Sequence, residues 1–173
     1  GIIIGVELGV NYIRLIASDI AANVVSRSEL AIDPDDGVDM IVETMLQAIK
    51  SMEASVPSTL RGLIGVGAGV PGLVRSSSGL LAFAPNLKWK NVPLKAIMAD
   101  RLGVPVFVDN EANVGAMGER WFGAGVGVQN MAYLSVGIGL GVGIVINGEL
   151  YRGSLGYAGE MGHFTIQPDG PEC

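Results

Sequence analysis

The apolar residues change period once, near residue 37, and that change restricts the possible folds more than any other feature of the chain. Ile2 to Leu8 and Tyr12 to Ser18 are β-branched, apolar runs parted by Gly9-Val10-Asn11, which predicts a hairpin, and a third strand is predicted at Val24 to Ile32. From Val38 the spacing becomes helical: Val38, Ile41, Val42, Met45, Leu46, Ile49 and Met52 share one face, with Asp35 and Asp36 as cap candidates and Pro57 just past the end. A buried strand is predicted at Leu63 to Val70, then an irregular segment holding Pro71, Gly72 and a Ser76-Ser77-Ser78-Gly79 turn. Pro93 opens a short helix through Arg101 that Gly103 closes. A strand follows at Val104 to Val108, and Asn110 can cap a helix from Glu111 to about Phe122. Met131 to Leu150 predicts two or three strands with glycine turns. This order is α/β, with an antiparallel start and a parallel continuation. The strand, glycine turn and strand of 2–18 are echoed at 131–150, which predicts a second lobe beginning to repeat the first.

Glycine is the outlier of composition, at 26 of 173 residues, roughly twice the usual frequency. The glycines follow no three-residue period and cluster at 62–72 and 137–162, as expected of tight turns and close backbone approaches around a ligand. With 49% hydrophobic and 16% charged residues the chain has ample apolar surface to order itself, so disorder is excluded. The net charge is −6 and the 11 Lys and Arg are scattered singly from Arg14 to Arg152, so the chain by itself has no basic stripe for nucleic acid. A single cysteine, Cys173, excludes an internal disulfide, and no signal sequence precedes the first strand, so a cytoplasmic setting is expected. Met131 to Ile146 is apolar and carries small-xxx-small spacings at Gly137/Gly141 and Gly139/Gly143. It is marginal in length for a membrane span and lacks a basic flank, so no membrane partner is expected.

Four segments carry candidate chemistry. In GVELGVNYIR the hairpin tip combines Glu7, Gly9 and Asn11, which suits either an ordinary hairpin or a phosphate hairpin whose glycine admits an anion and whose acid holds a metal through water. Gly137, Gly139, Gly141 and Gly143 alternate, which fits either a closely approaching ligand or tight sheet packing. Asp109-Asn110-Glu111-Ala112-Asn113 sets carboxylates and amides at a strand end leading into a helix, where α/β folds bind ligands. Glu160 and His163 sit three apart between Gly159 and Gly162, so a loop presenting a carboxylate and an imidazole to a polyhydroxylated ligand is as reasonable as a metal pair on a helix turn. His163 and Cys173 could also hold two corners of a zinc site.

Taken together, GVELGVNYIRL, GVGAGVPGLV, PNLKWKNVPL, VFVDNEANVGAMGE, LSVGIGLGVGIVINGELYRGSLGYAGEMGH and PDGPEC resemble the ROK family of repressors, open reading frames and sugar kinases. The resemblance covers essentially the whole chain and implies the actin-like ATPase, RNase H-like fold. Residues 1–123 would form the first lobe and 124–173 the beginning of a second, truncated at the zinc motif. By position it implies that Gly72, Asn110, Glu111, Glu160 and His163 bind sugar hydroxyls. His163 and Cys173 would be two of four structural zinc ligands, the other two being cysteines that this chain does not contain.

Several positions depart from the family's kinases. Those kinases place an Asp where Glu111 stands, to take the proton of the attacking sugar hydroxyl. One extra methylene moves the carboxylate by about 1 Å, a displacement that can cost about 100-fold in rate. Their Asp-x-Gly-x-Thr hairpin reads Glu7-Leu8-Gly9-Val10-Asn11 here, and their Gly-Thr-Gly turn reads Ser135-Val136-Gly137, leaving Glu7, Gly9, Asn11, Gly137 and Gly139 as phosphate-like positions. Altered phosphate positions beside retained sugar positions resemble the xylose-repressor-like branch. The expectation is therefore a sugar-sensing, effector-binding domain of a homodimeric transcriptional regulator, taking a monosaccharide effector. It would bind operator DNA only through a winged helix-turn-helix absent from this chain. The alternative is an ATP- and magnesium-dependent sugar kinase of glucokinase type, with Glu111 as general base.

Overall fold

The computed structural model of the protein describes residues 1–60, 62–154 and 156–170. It divides into two compact units, Gly1–Glu111 and the part from Ala112 onward.

Unit 1 opens with β1 (Ile2–Leu8), β2 (Tyr12–Ser18) and β3 (Val24–Ala31), which pair antiparallel in succession. After helix α1 (Gly37–Ser55), β4 (Leu63–Val70) returns beside β1 and parallel to it, as a helical crossover allows. Three short strands follow, β5 (Leu73–Arg75), β6 (Leu80–Ala84) and β7 (Trp89–Val92), then α2 (Leu94–Leu102) and β8 (Val106–Asn110), which lies parallel to β4. The main sheet runs β3-β2-β1-β4-β8, so the expected antiparallel start and parallel continuation are both present.

The period-two strands and the period-3.6 helix meet in one core. Ile2, Ile4, Val6 and Leu8 of β1 are at most 4% exposed and cluster with Ile41, Val42, Met45, Leu46, Ile49 and Met52 of α1. Each such side chain contributes about 1.5–3 kcal/mol of burial. Asp36 occupies the cap position of α1 without a side-chain bond, and in the 3-10 turn that precedes it the Asp33 carboxylate accepts the Asp35 N–H at 2.9 Å. Gly103 ends α2 at φ +67°, where its N–H donates to the Ala99 carbonyl.

The segment after Pro71 is not irregular, as the sequence reading expected. It folds as a second antiparallel sheet, β5-β6-β7. Its strands are three to five residues long, too short for alternation to register. Two turns and the burial of Leu81, Leu87 and Trp89, each at most 1% exposed, supply the order instead. At the first turn Gly79 (φ +63°) donates to Arg75 O at 2.8 Å, and at the second Lys88 adopts φ +58°.

Helix α3 (Glu111–Phe122) begins where unit 1 ends. In unit 2, β9 (Met131–Val136), β10 (Leu140–Ile146) and β11 (Glu149–Leu150) form an antiparallel sheet in the order β11-β10-β9. The apolar run 131–146 is therefore a hairpin, and among the described residues no helix is long and apolar enough to cross a membrane. A Cβ on Gly143 would lie 2.5 Å from that of Ala116 and collide with Ala112 O, and one on Gly141 would lie 3.0 Å from the Ala112 Cβ. These two glycines let α3 lie directly on β10. That packing puts α3 from Ala112 onward in unit 2.

Candidate functional site

In unit 1 the parallel strands β1, β4 and β8 all end on one edge of the sheet, with Glu7, Gly69 and Asp109 in register across it. Ligands of open α/β sheets bind at such carboxyl ends. Asn110 closes β8, and its side-chain amide donates to Gly72 O at 2.9 Å. Gly72 itself sits at φ +92°, where a Cβ would collide with Phe83 O and come within 2.8 Å of Ala84 Cα. The loop after β4 and the end of β8 are thus joined through backbone and amide, which brings the expected residues Gly72, Asn110 and Glu111 to one place.

Glu111 is half-buried. Burial, and secondarily the Glu7 carboxylate, push its pKa above the ordinary glutamate range. A carboxyl in that state can accept a hydroxyl proton or donate its own, the property asked of a general base or of a sugar-binding acid.

Glu7 stands beside it but is already engaged. The Tyr12 hydroxyl donates to Glu7 Oε1 at 2.5 Å, and Arg14 Nη1 lies 3.5 Å from Oε2. The Arg14 guanidinium covers the Tyr12 ring at 4.1 Å, and its Nε donates to Glu29 on β3 at 2.6 Å. Burial, then the bond to Glu7, push the Tyr12 phenol up to about 12. The tyrosine is therefore a hydrogen-bond donor throughout the physiological range. Tyr12 and Arg14 were given no role from the sequence. The signal was in the register: a hairpin closing over Gly9 puts Arg14 opposite Glu7.

In unit 2 the β9–β10 turn is closed by Gly137 N–H donating to Gly139 O at 2.9 Å, and a Cβ on either glycine would meet nothing within 4 Å. The glycine alternation thus resolves into two uses: Gly137 and Gly139 form an open turn, Gly141 and Gly143 a packed strand. The loop bearing Glu160 and His163 is seated on β10 by two further glycines. Gly159 adopts φ +92° with its missing Cβ directed at Val142 O, and a Cβ on Gly162 would lie 2.6 Å from Leu140 O. Met161–His163 forms a single 3-10 turn rather than an α-helix. His163 Nε2 lies 3.5 Å from Glu160 Oε2, the imidazole exposed and the carboxylate half-buried. No group of three or more His, Cys, Asp or Glu among the described residues could hold a metal ion, and Cys173 lies outside the described residues.

The strand order and the two glycine-turned hairpins define an α/β protein of the actin-like ATPase fold. Within that class the chain belongs to the ROK family, which it matches over residues 3–173. It is 43% identical to a xylose repressor of Caldicellulosiruptor bescii over all of this chain and 43% of that protein. It is 36% identical to a glucokinase of Halalkalibacterium halodurans over 96% of this chain and 51% of the glucokinase. Among solved structures, a ROK glucokinase from Streptomyces griseus in complex with glucose and AMPPNP matches with a TM-score of 0.83 at 36% identity, covering 98% of this chain and 52% of that one. A ROK transcriptional regulator, homologous to the E. coli MLC protein, matches with a TM-score of 0.84 at 29% identity, covering 99% and 43%. The chain thus spans about half or less of the length of the relatives it matches.

Proposed function

We propose that this chain is the sugar-sensing part of a ROK-family transcriptional regulator. One observation carries the reading: the positions matched to sugar contacts are kept as Gly72, Asn110, Glu160 and His163, while the phosphate and base positions are changed at Glu7, Asn11 and Glu111. The likeness to xylose repressors supports it. A monosaccharide would engage Gly72, Asn110, Glu111, Glu160 and His163, and favour one of two conformations of a homodimer. Moving such an equilibrium from 1:99 to 99:1 takes a differential affinity of about 10⁴. Operator contacts fall to a part of the protein outside this chain, since a net charge of −6 repels a phosphate backbone. His163 and Cys173 are proposed as two ligands of a structural zinc ion, which would fix the loop after β11.

The second reading, favoured by the glucokinase relatives, is a sugar kinase. In it Glu111 takes the hydroxyl proton and the turns at Gly9 and Gly137 face the phosphates of magnesium-bound ATP. Incubating the full-length protein with a panel of monosaccharides and Mg·ATP separates the two readings. The regulator reading expects sugar binding without ADP release, and steady sugar phosphorylation overturns it.

A further inference from the structure

We infer that Tyr12 determines the ligand specificity of the β1–β2 hairpin: its ring closes the Gly9 backbone to nucleotide phosphate, and its hydroxyl takes the Glu7 carboxylate that could hold magnesium through water. A glycine hairpin binds phosphate by offering bare backbone to the anion. Here that backbone is covered, since an ideal Cβ on Gly9 would lie 2.5 Å from Tyr12 Cζ and 2.7 Å from Cδ1, so the ring rests on the Cα of the glycine. The Gly9 N–H is also spent within the hairpin, donating to Tyr12 O at 2.8 Å.

The ring is fastened by two contacts, one of which is itself anchored. Its hydroxyl donates to Glu7, the Arg14 guanidinium lies 4.1 Å above its centroid, and Arg14 is in turn anchored by Glu29 at 2.6 Å. For phosphate to reach Gly9 the ring must swing away. That motion breaks the bond to Glu7, gives up the cation–π contact, and leaves the Glu7 carboxylate, held only by the 3.5 Å contact to Arg14, facing the incoming anion. A phenol is protonated at neutral pH, so the Tyr12 hydroxyl is a donor to Glu7 there and the latch stays closed. This inference rests on the regulator reading and gives it a residue: the hairpin rejects ATP through one side chain on β2 as well as through the loss of the family's Asp and Thr.

The test is equilibrium binding of Mg·AMPPNP to the full-length protein and to its Tyr12→Ala, Tyr12→Thr and Tyr12→Phe variants, each checked for folding by circular dichroism. Thr is included because it keeps β propensity if the Ala variant fails to fold. Wild type and Tyr12→Phe, which retains the ring, are expected to bind no tighter than about 1 mM, and the Ala and Thr variants at least about tenfold tighter. Micromolar binding by wild type overturns the inference, as do Ala and Thr variants that bind no better than wild type, or a Phe variant as tight as Ala. Wild type that phosphorylates a sugar overturns the regulator reading together with this inference. Wild type that binds neither sugar nor nucleotide overturns the regulator reading alone.

Discussion

Replacing Gly72 with alanine strikes the fold and the candidate sugar site at once, and its cost can be worked from the geometry. At φ +92° an L-residue is strained by about 1–3 kcal/mol. The added methyl would also collide with Phe83 O and sit 2.8 Å from Ala84 Cα, both backbone atoms of β6 that cannot rotate away. Overpacking of that kind costs typically about 1–3 kcal/mol, so the sum is about 2–6 kcal/mol. Gly103→Ala is the internal control, because Gly103 has φ +67° but nothing within 4 Å of its missing Cβ. It should show the conformational part alone, about 1–2 kcal/mol. In urea unfolding followed by circular dichroism, with a slope of about 2 kcal/mol per M, the Gly72 variant should unfold about 1–3 M earlier than wild type and the Gly103 variant about 0.5–1 M earlier. Displacing Gly72 O also removes the acceptor of the Asn110 amide, so sugar affinity should fall in the Gly72 variant as well. Equal midpoints for the two variants would refute the steric argument, since only Gly72 has backbone in the way.

Trp89 is 1% exposed and its indole N–H has no hydrogen-bond partner among the described residues, so Trp89→Phe, which removes that donor, should cost less than about 1.5 kcal/mol, against about 3–5 for Trp89→Ala. Thermal melts of the two variants check this. Glu111 has a raised pKa in the folded state, so its contribution to stability is full below the unfolded glutamate pKa and is lost as pH rises through the folded value. Glu111→Gln should accordingly stabilise the protein at pH 7 and lose that advantage near pH 4, read as the difference in melting temperature across pH. Gly159→Ala forces a methyl onto Val142 O and should displace the loop carrying Glu160 and His163, weakening sugar binding by about tenfold or more in calorimetry.

The sequence revealed the large elements because each has one strong period. The α1 stripe from Val38 to Met52 and the alternation of β1 both survive in the core residue by residue. It concealed β5 to β7 because strands of three to five residues give alternation nothing to repeat, and turns set by Gly79 and Lys88 hold them instead. The glycine run at 137–143 was ambiguous for a related reason. Composition cannot separate an open turn from a strand under a helix, and only the position of α3 divides Gly137 and Gly139 from Gly141 and Gly143. Motif alone nominated the candidate site residues, and it said nothing of their electrostatic surroundings. The capture of Glu7 by Tyr12 and Arg14 depends on hairpin register and on Glu29 of a third strand.

One calorimetric titration reaches the central claim most directly: monosaccharide added to the full-length protein in the presence of Mg·ATP. A sensor gives a saturable one-site isotherm for some sugar and then falls silent. A kinase turning over at about 1–100 s⁻¹ instead gives sustained heat after each injection until its substrate is consumed. The account predicts the saturable isotherm, and sustained heat with ADP accumulating would contradict it.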